Sequence, residues 1–99
     1  MRLTLEFKGG MELLFGNQHK KEVTFSDDDP KRPKTIGDLL PWIKDNLLVE
    51  KPELFMSGAT IRPGILVLIN EADWELEGET ECEINDKDQI TFISTLHGG

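Results

Sequence analysis

Apolar and polar positions alternate from residue 2 to residue 7. Leu3, Leu5 and Phe7 fall on one side, and Arg2, Thr4 and Glu6 on the other. A period of two predicts a half-buried first strand. Gly9-Gly10 breaks the pattern, and the short apolar run from Met11 to Phe15 leads into a turn at Gly16-Asn17. Residues 21–25 predict a second strand, antiparallel to the first. Asp27-Asp28-Asp29-Pro30 followed by Lys31-Arg32-Pro33-Lys34 is a polar, proline-marked loop.

The period then changes. Ile36, Leu39, Leu40, Ile43 and Leu47 follow at i, i+3, i+4, i+7 and i+11, the apolar stripe of an amphipathic helix. Thr35 stands as its N-cap with Asp38 three residues on, a variant of the capping box. Pro41 removes one backbone donor, so a kink or an irregular first turn is expected. Lys51-Pro52 and Ser57-Gly58 mark a long connection. The apolar run Ile65-Leu66-Val67-Leu68-Ile69, between Pro63-Gly64 and Asn70, is short and rich in branched residues. It reads as a strand buried on both faces. Acids then occupy every odd position from 71 to 83, with Trp74, Leu76, Cys82 and Ile84 at even ones. This pattern predicts an extended edge segment, acidic outside and apolar inside, bent at Gly78. Residues 89–95 alternate into a last strand.

The order is hairpin, helix, buried strand, short edge strand and last strand. The helix supplies the crossover that returns a parallel strand beside the first. This is the order of an α+β, β-grasp (ubiquitin-like) fold: a mixed sheet wrapped around one main helix. The expected organisation is a single domain over residues 1–95 and a flexible C-terminal Gly-Gly tail over residues 96–99.

Composition narrows the function classes. Hydrophobic residues make up 37% of the 99, too many for a disordered chain of this charge density. No apolar run approaches a membrane span, and the alternating N-terminus lacks the apolar stretch of a signal peptide. A cytoplasmic location and a monomer are the expectations. One cysteine cannot form an intrachain disulfide, and with two separated histidines it cannot make a zinc or iron–sulfur site, so no metal is expected. The net charge of −8 is concentrated. Residues 71–88 hold nine acids against Lys87, while the other 81 residues hold ten acids and ten bases. That surface disfavours direct nucleic-acid binding. It is either a solvated edge that maintains solubility or a surface that steers a basic partner.

The chain ends Leu96-His97-Gly98-Gly99. Four extended residues reach roughly 13–14 Å. Gly-Gly carries no side chains, so it fits a channel too narrow for other dipeptides. Its carboxylate is ionised near neutrality and is a poor electrophile until activated. Adenylation by ATP supplies the leaving group. The acyl-adenylate then accepts a sulfide equivalent to become a thiocarboxylate, or passes through an enzyme thiol to an amine. No GxxxxGK[ST] loop is present. ATP and the sulfur donor therefore belong to an activating enzyme, this chain binds no cofactor, and it has no catalytic residues of its own. Two terminal glycines arise by chance in roughly 0.5% of chains, so the dipeptide gains weight only from its place after the last strand.

Specific blocks resemble a known family. Phe7-Lys8-Gly9-Gly10-Met11-Glu12-Leu13-Leu14-Phe15-Gly16 is one, and Asp38-Leu39-Leu40 with Trp42-Ile43 another. Arg62-Pro63-Gly64-Ile65-Leu66-Val67-Leu68-Ile69-Asn70 with Asp73-Trp74-Glu75-Leu76 is a third. The ending Phe92-Ile93-Ser94-Thr95-Leu96-His97-Gly98-Gly99 is the most specific. Together they are similar to the ubiquitin-related modifier family, the eukaryotic sulfur-carrier branch of the ubiquitin-like proteins. Glu71 departs from that family's common Asp. The resemblance implies a thiocarboxylate and conjugation site at Gly99, with Leu96, His97 and Gly98 read by the activating enzyme. It implies as partners a ubiquitin-activating-like adenylyltransferase and sulfurtransferase with a rhodanese domain, a tRNA thiolase complex, and lysines of target proteins. The implied outcome is 2-thiolation of the wobble uridine of cytosolic tRNAs, and protein conjugation.

Two alternatives stand beside it. A carrier of the same fold feeds molybdopterin or thiamine synthesis, and a non-covalent ubiquitin-like adaptor works through the acidic 71–83 edge. Among single residues, Cys82 reads as structural: its parity with Ile84 predicts burial, and Glu81 and Glu83 would raise its thiol pKa. Trp74 reads as core, Trp42 as a flanking contact off the main stripe, and His19 as a loop residue. His97 is either a recognition residue or an exposed imidazole that titrates near neutrality.

Overall fold

In a computed structural model that describes residues 1–94, the first alternating segment forms β1 (Arg2–Lys8), with Leu3, Leu5 and Phe7 buried. The second strand, β2 (Lys20–Thr24), pairs antiparallel with it, Leu3 opposite Val23 and Leu5 opposite Lys21. Between them Met11–Phe15 closes into a 3₁₀ turn that buries Met11, Leu14 and Phe15. The helix α1 spans Ile36–Asn46. Its capping box is complete: the Thr35 hydroxyl accepts the Asp38 N–H at 3.2 Å, and the Asp38 carboxylate accepts the Thr35 N–H at 3.2 Å. Ile36, Leu39, Leu40 and Ile43 are fully buried, as the stripe predicts.

Four sequence expectations need correction. The α-helix continues through Pro41, which sits on the exposed side, but ends at Asn46, so Leu47, the fifth residue of the stripe, is the C-cap and only half-buried. The connection after the helix holds an unforeseen small hairpin, β3 (Met56–Ser57) with β4 (Thr60–Ile61). Third, β5 (Ile65–Ile69) is not buried on both faces: Ile65, Val67 and Ile69 are buried, while Leu66 and Leu68 are half-buried. Fourth, residues 71–83 are not one extended edge. Only β6 (Ala72–Asp73) is strand, and Trp74–Glu77 and Glu79–Glu81 are 3₁₀ turns separated by Gly78 at φ 96°. The Asp73 carboxylate accepts the Glu75 N–H at 2.9 Å and starts the first turn. With three residues per turn, a residue two positions after an inward one swings to the far side. Trp74 is therefore buried, but Leu76, assigned inward by parity, is 81% exposed.

The last strand, β7 (Gln89–Ser94), lies at the centre of a five-stranded sheet of order β2-β1-β7-β5-β6. It runs parallel to β1, with Phe7 opposite Phe92, and antiparallel to β5, with Val67 opposite Phe92. This mixed sheet on one main helix is the expected β-grasp architecture, and one contiguous core joins the sheet's inner face to α1. The turn into β7 is locked by polar groups. Asp88 accepts from the Asn70 side chain at 2.9 Å and from the Asn85 N–H at 2.8 Å, and the Asn70 side-chain carbonyl accepts the Gln89 N–H at 2.8 Å.

One surface carboxylate ties this turn to β1. The Arg2 N–H donates to Asp86 at 2.7 Å, and that bond, ahead of nearby positive charges, holds the Asp86 carboxyl below the usual carboxylate range. A depressed folded-state pKa contributes stability above the unfolded value and loses it as pH falls through the folded value. Asp86→Asn should therefore lower the melting temperature at pH 7. The gap to wild type should close as pH falls below about 4. Thermal melts at neutral and acid pH check this; a gap that widens in acid would contradict it.

Candidate functional site

The four residues to which the sequence assigns the chemistry, Leu96, His97, Gly98 and Gly99, lie outside the described residues. The described part of the site is the end of the strand that leads to them. β7 forms because Gln89-Ile90-Thr91-Phe92-Ile93-Ser94 alternates, and Ile90 and Phe92 point into the core with no exposure. Phe92 is held by rings on its neighbours: Phe7 stacks at 5.8 Å between centroids, and Phe55 meets it edge-on at 5.5 Å. The last described residue, Ser94, pairs with Ile65 of β5. On the other side it faces Gly9, just past the end of β1. The chain therefore leaves the middle of the sheet, with Gly9-Gly10 on one side and Pro63-Gly64 ahead of β5 on the other.

The sheet's outer face adjoins this exit. Registered partners on neighbouring strands share a face, so Lys8, Ile93 and Leu66 form one row and Glu6, Thr91 and Leu68 the next. Leu66, Leu68 and Ile93 are half-buried and make an apolar strip along β5 that reaches onto β7 at Ile93, beside the tail's root, with the buried Thr91 next to Leu68. Lys8 and Glu6 flank it and pair at 3.4 Å. The sequence reading missed this strip because it treated 65–69 as buried on both faces. A signal was available. One amphipathic helix covers one face of a sheet, so alternate residues of the central strands must face outward.

The remaining sequence candidates do not gather at the root. Cys82 is buried beside the start of α1, where its carbonyl accepts the Ile36 N–H at 2.9 Å. Burial first, then the charges of Glu77, Asp88 and Glu83, push its thiol pKa up. The direction is as predicted, but of the two flanking acids only Glu83 contributes. Trp74 is core, and Trp42 is half-buried, edge-on to Phe25 at 4.9 Å. His19 is exposed at a bend before β2. A depression of about 300 Å³ lined by Met1, Arg2, Thr24, Asp86 and Lys87 lies at the opposite end of β1 and β7 from the root. Among the described residues no cluster of three His, Cys, Asp or Glu side chains has a metal-holding arrangement, and no helix is long and apolar enough to cross a membrane.

Comparison with known proteins bears on the whole chain, tail included. Residues 2–99 match the family Urm1 (Ubiquitin related modifier). The chain is 56% identical to a ubiquitin-related modifier 1 homolog from Chlamydomonas reinhardtii, covering 100% of this chain and 99% of that protein. It is 54% identical to ubiquitin-related modifier 1 of Homo sapiens, covering 100% of this chain and 96% of that protein. Among solved structures, the solution structure of Urm1 from Trypanosoma brucei superposes with a TM-score of 0.83 at 40% identity, covering 99% of this chain and 95% of that one.

Proposed function

This chain belongs to the ubiquitin-related modifier family, and on that ground we propose that it carries sulfur on its C-terminal Gly99 and is also conjugated to lysines of target proteins. The observation that carries the reading is the family match over residues 2–99, which runs through the terminal Gly98-Gly99. The central position of β7 supports it, since a tail continuing from the middle of a sheet is presented together with a broad docking face.

The chemistry belongs to a partner. A Gly99 carboxylate oxygen attacks the α-phosphorus of ATP and pyrophosphate leaves, giving the acyl-adenylate. The terminal sulfur of a persulfide on a rhodanese-type donor attacks the carbonyl and AMP leaves, giving an acyl disulfide. A second thiol then attacks the donor's own sulfur, forming a disulfide between the two thiols and releasing the thiocarboxylate. A tRNA thiolase then uses that sulfur for 2-thiolation of the wobble uridine, and the thiolase holds the tRNA, in keeping with the acidic 71–88 surface of this chain. Attack on an activated Gly99 by a lysine amine instead forms an isopeptide bond. In this reading the chain is a cytoplasmic monomer that works as a substrate, and Leu96, His97 and Gly98 are the residues the activating enzyme threads.

The test is intact-mass spectrometry after incubation with the activating enzyme, ATP and a sulfur donor. Replacement of oxygen by sulfur adds about 16 Da; an unchanged mass overturns the reading. The outer strip gives a second check. Leu66→Glu places a charge in the apolar strip beside the root without entering the core. It should raise the KM of activation by about tenfold, equivalent to about 1.4 kcal/mol of docking free energy, with kcat unchanged. Steady-state pyrophosphate release measures both.

A further inference from the structure

Gly9 has a backbone φ of +66°, in the left-handed region, and no room for a side chain. A Cβ built there would stand 2.5 Å from the Ser94 carbonyl oxygen, 3.3 Å from Ile93 Cγ2 and 3.4 Å from the Ser94 nitrogen. The closest of these contacts is backbone, so no side-chain rotation relieves it. Bringing the oxygen even to 3.0 Å requires a displacement of at least about 0.5 Å. The carbonyl in question belongs to the peptide group that joins Ser94 to Thr95, so its orientation sets the direction in which the chain leaves the sheet. Gly10, the next residue, is the contrasting case: φ is +98° and nothing lies within 4 Å of its Cβ position.

Resting on the carrier reading above, we infer that Gly9 is a positioning residue for activation: its bare Cα surface backs the Ser94–Thr95 peptide and fixes the angle at which the tail sets out from β7. It touches neither ATP nor the reacting carboxylate. Once threaded and held extended in the activating enzyme, the tail has no slack between its root and the reacting carbon, so an error at the root is carried to Gly99. Misplacement of about 1 Å, introduced far from the chemistry, is enough to cost a reaction up to about 100-fold. Of the docking strip on the outer face, Leu66 and Leu68 would remain in place, and Ile93 would give by only a few tenths of an ångström at its Cγ2, 3.3 Å from the added carbon. Recognition of the folded domain and delivery of the carboxylate therefore separate into KM and kcat.

Steady-state adenylation of Gly9→Ala and Gly10→Ala by the activating enzyme tests this, alongside thermal melts of both proteins. Both substitutions put a β-carbon on a left-handed glycine and should lower the melting temperature. Gly9→Ala should lose about tenfold or more in kcat, with KM for the carrier within about twofold of wild type. Gly10→Ala should keep its kcat. Equal loss in the two variants would show that only the strain of the turn matters, and a wild-type kcat in folded Gly9→Ala would show that the root angle does not matter; either overturns the inference. Should Gly9→Ala fail to fold, insertion of one glycine between Ser94 and Thr95 leaves the packed domain intact and moves the tip by about 3.5 Å. It should lower kcat in the same way, and a wild-type kcat there would overturn the inference. If the wild-type chain is itself not adenylated, the carrier reading falls and takes this inference with it.

Discussion

Deleting Gly98 and Gly99 should abolish both thiocarboxylate formation and lysine conjugation while leaving the fold untouched. The described core and the five strands of its sheet are built from residues 1–94. Melting temperature and the dispersion of amide resonances should therefore match wild type. The new C-terminus would be His97, whose carboxylate falls two residues short, about 7 Å when extended. Its imidazole must also enter a passage read by glycines. Alignment of the reacting atoms accounts for about 7–11 kcal/mol of a barrier in well-oriented reactions. Loss of that alignment should drive the rate below detection. The expected mass spectrum after activation shows no gain of about 16 Da, with the core signals of the fold retained. A truncated chain that still gains sulfur would remove Gly99 from the reading. A binding function that survived truncation and failed on neutralising the acids of 71–83 would favour the adaptor alternative.

The second large effect is on stability. Phe92→Ala should cost about 3–5 kcal/mol, the range for emptying a buried aromatic site. Phe92 has no exposure and is packed between Phe7 and Phe55, while Phe15 stacks on Phe7 at 4.0 Å and meets Phe55 edge-on at 5.4 Å. The four rings come from β1, the 3₁₀ turn after it, the connection before β3, and β7. Little can move in to fill the gap, because each ring is held by a different element. At about 4–8 °C per kcal/mol for a domain of this size, the melting temperature should fall by more than about 12 °C. Leu76→Ala is the matched control: an apolar side chain that is 81% exposed, whose truncation should shift stability by less than about 0.5 kcal/mol. Chemical denaturation measures both. A small effect at Phe92 would mean that the site collapses around the missing ring.

The sequence was most legible where one local pattern had one structural solution. The β1 alternation, the α1 stripe with its Thr35–Asp38 cap, and the β7 alternation each predicted the element and its buried face. It was least legible at residues 71–83. There the alternation of acids and apolar residues described burial correctly at Trp74, Cys82 and Ile84, yet the backbone is mostly 3₁₀. A burial pattern with period two does not require a strand once a left-handed glycine and an Asp cap allow tight turns. Leu76 is the residue at which the two solutions differ. The run 65–69 failed for another reason: a continuous apolar stretch does not say which of its faces will be covered.

The chain alone determined the element order, the inward faces of β1, α1 and β7, the concentration of charge in 71–88, and a terminus with the composition of a threading tail. These follow from local periodicity and covalent chemistry, which no distant contact alters. Tertiary structure decided the rest. The pairing of β7 between β1 and β5 turned a linear ending into an exit from the centre of a sheet. The presence of one helix for one face left Leu66, Leu68 and Ile93 as an apolar strip beside that exit. The contact that excludes a side chain from Gly9 belongs to Ser94, at the other end of the chain. Such a contact depends on the parallel register of β1 with β7, and register is a property of two strands together that neither segment carries alone.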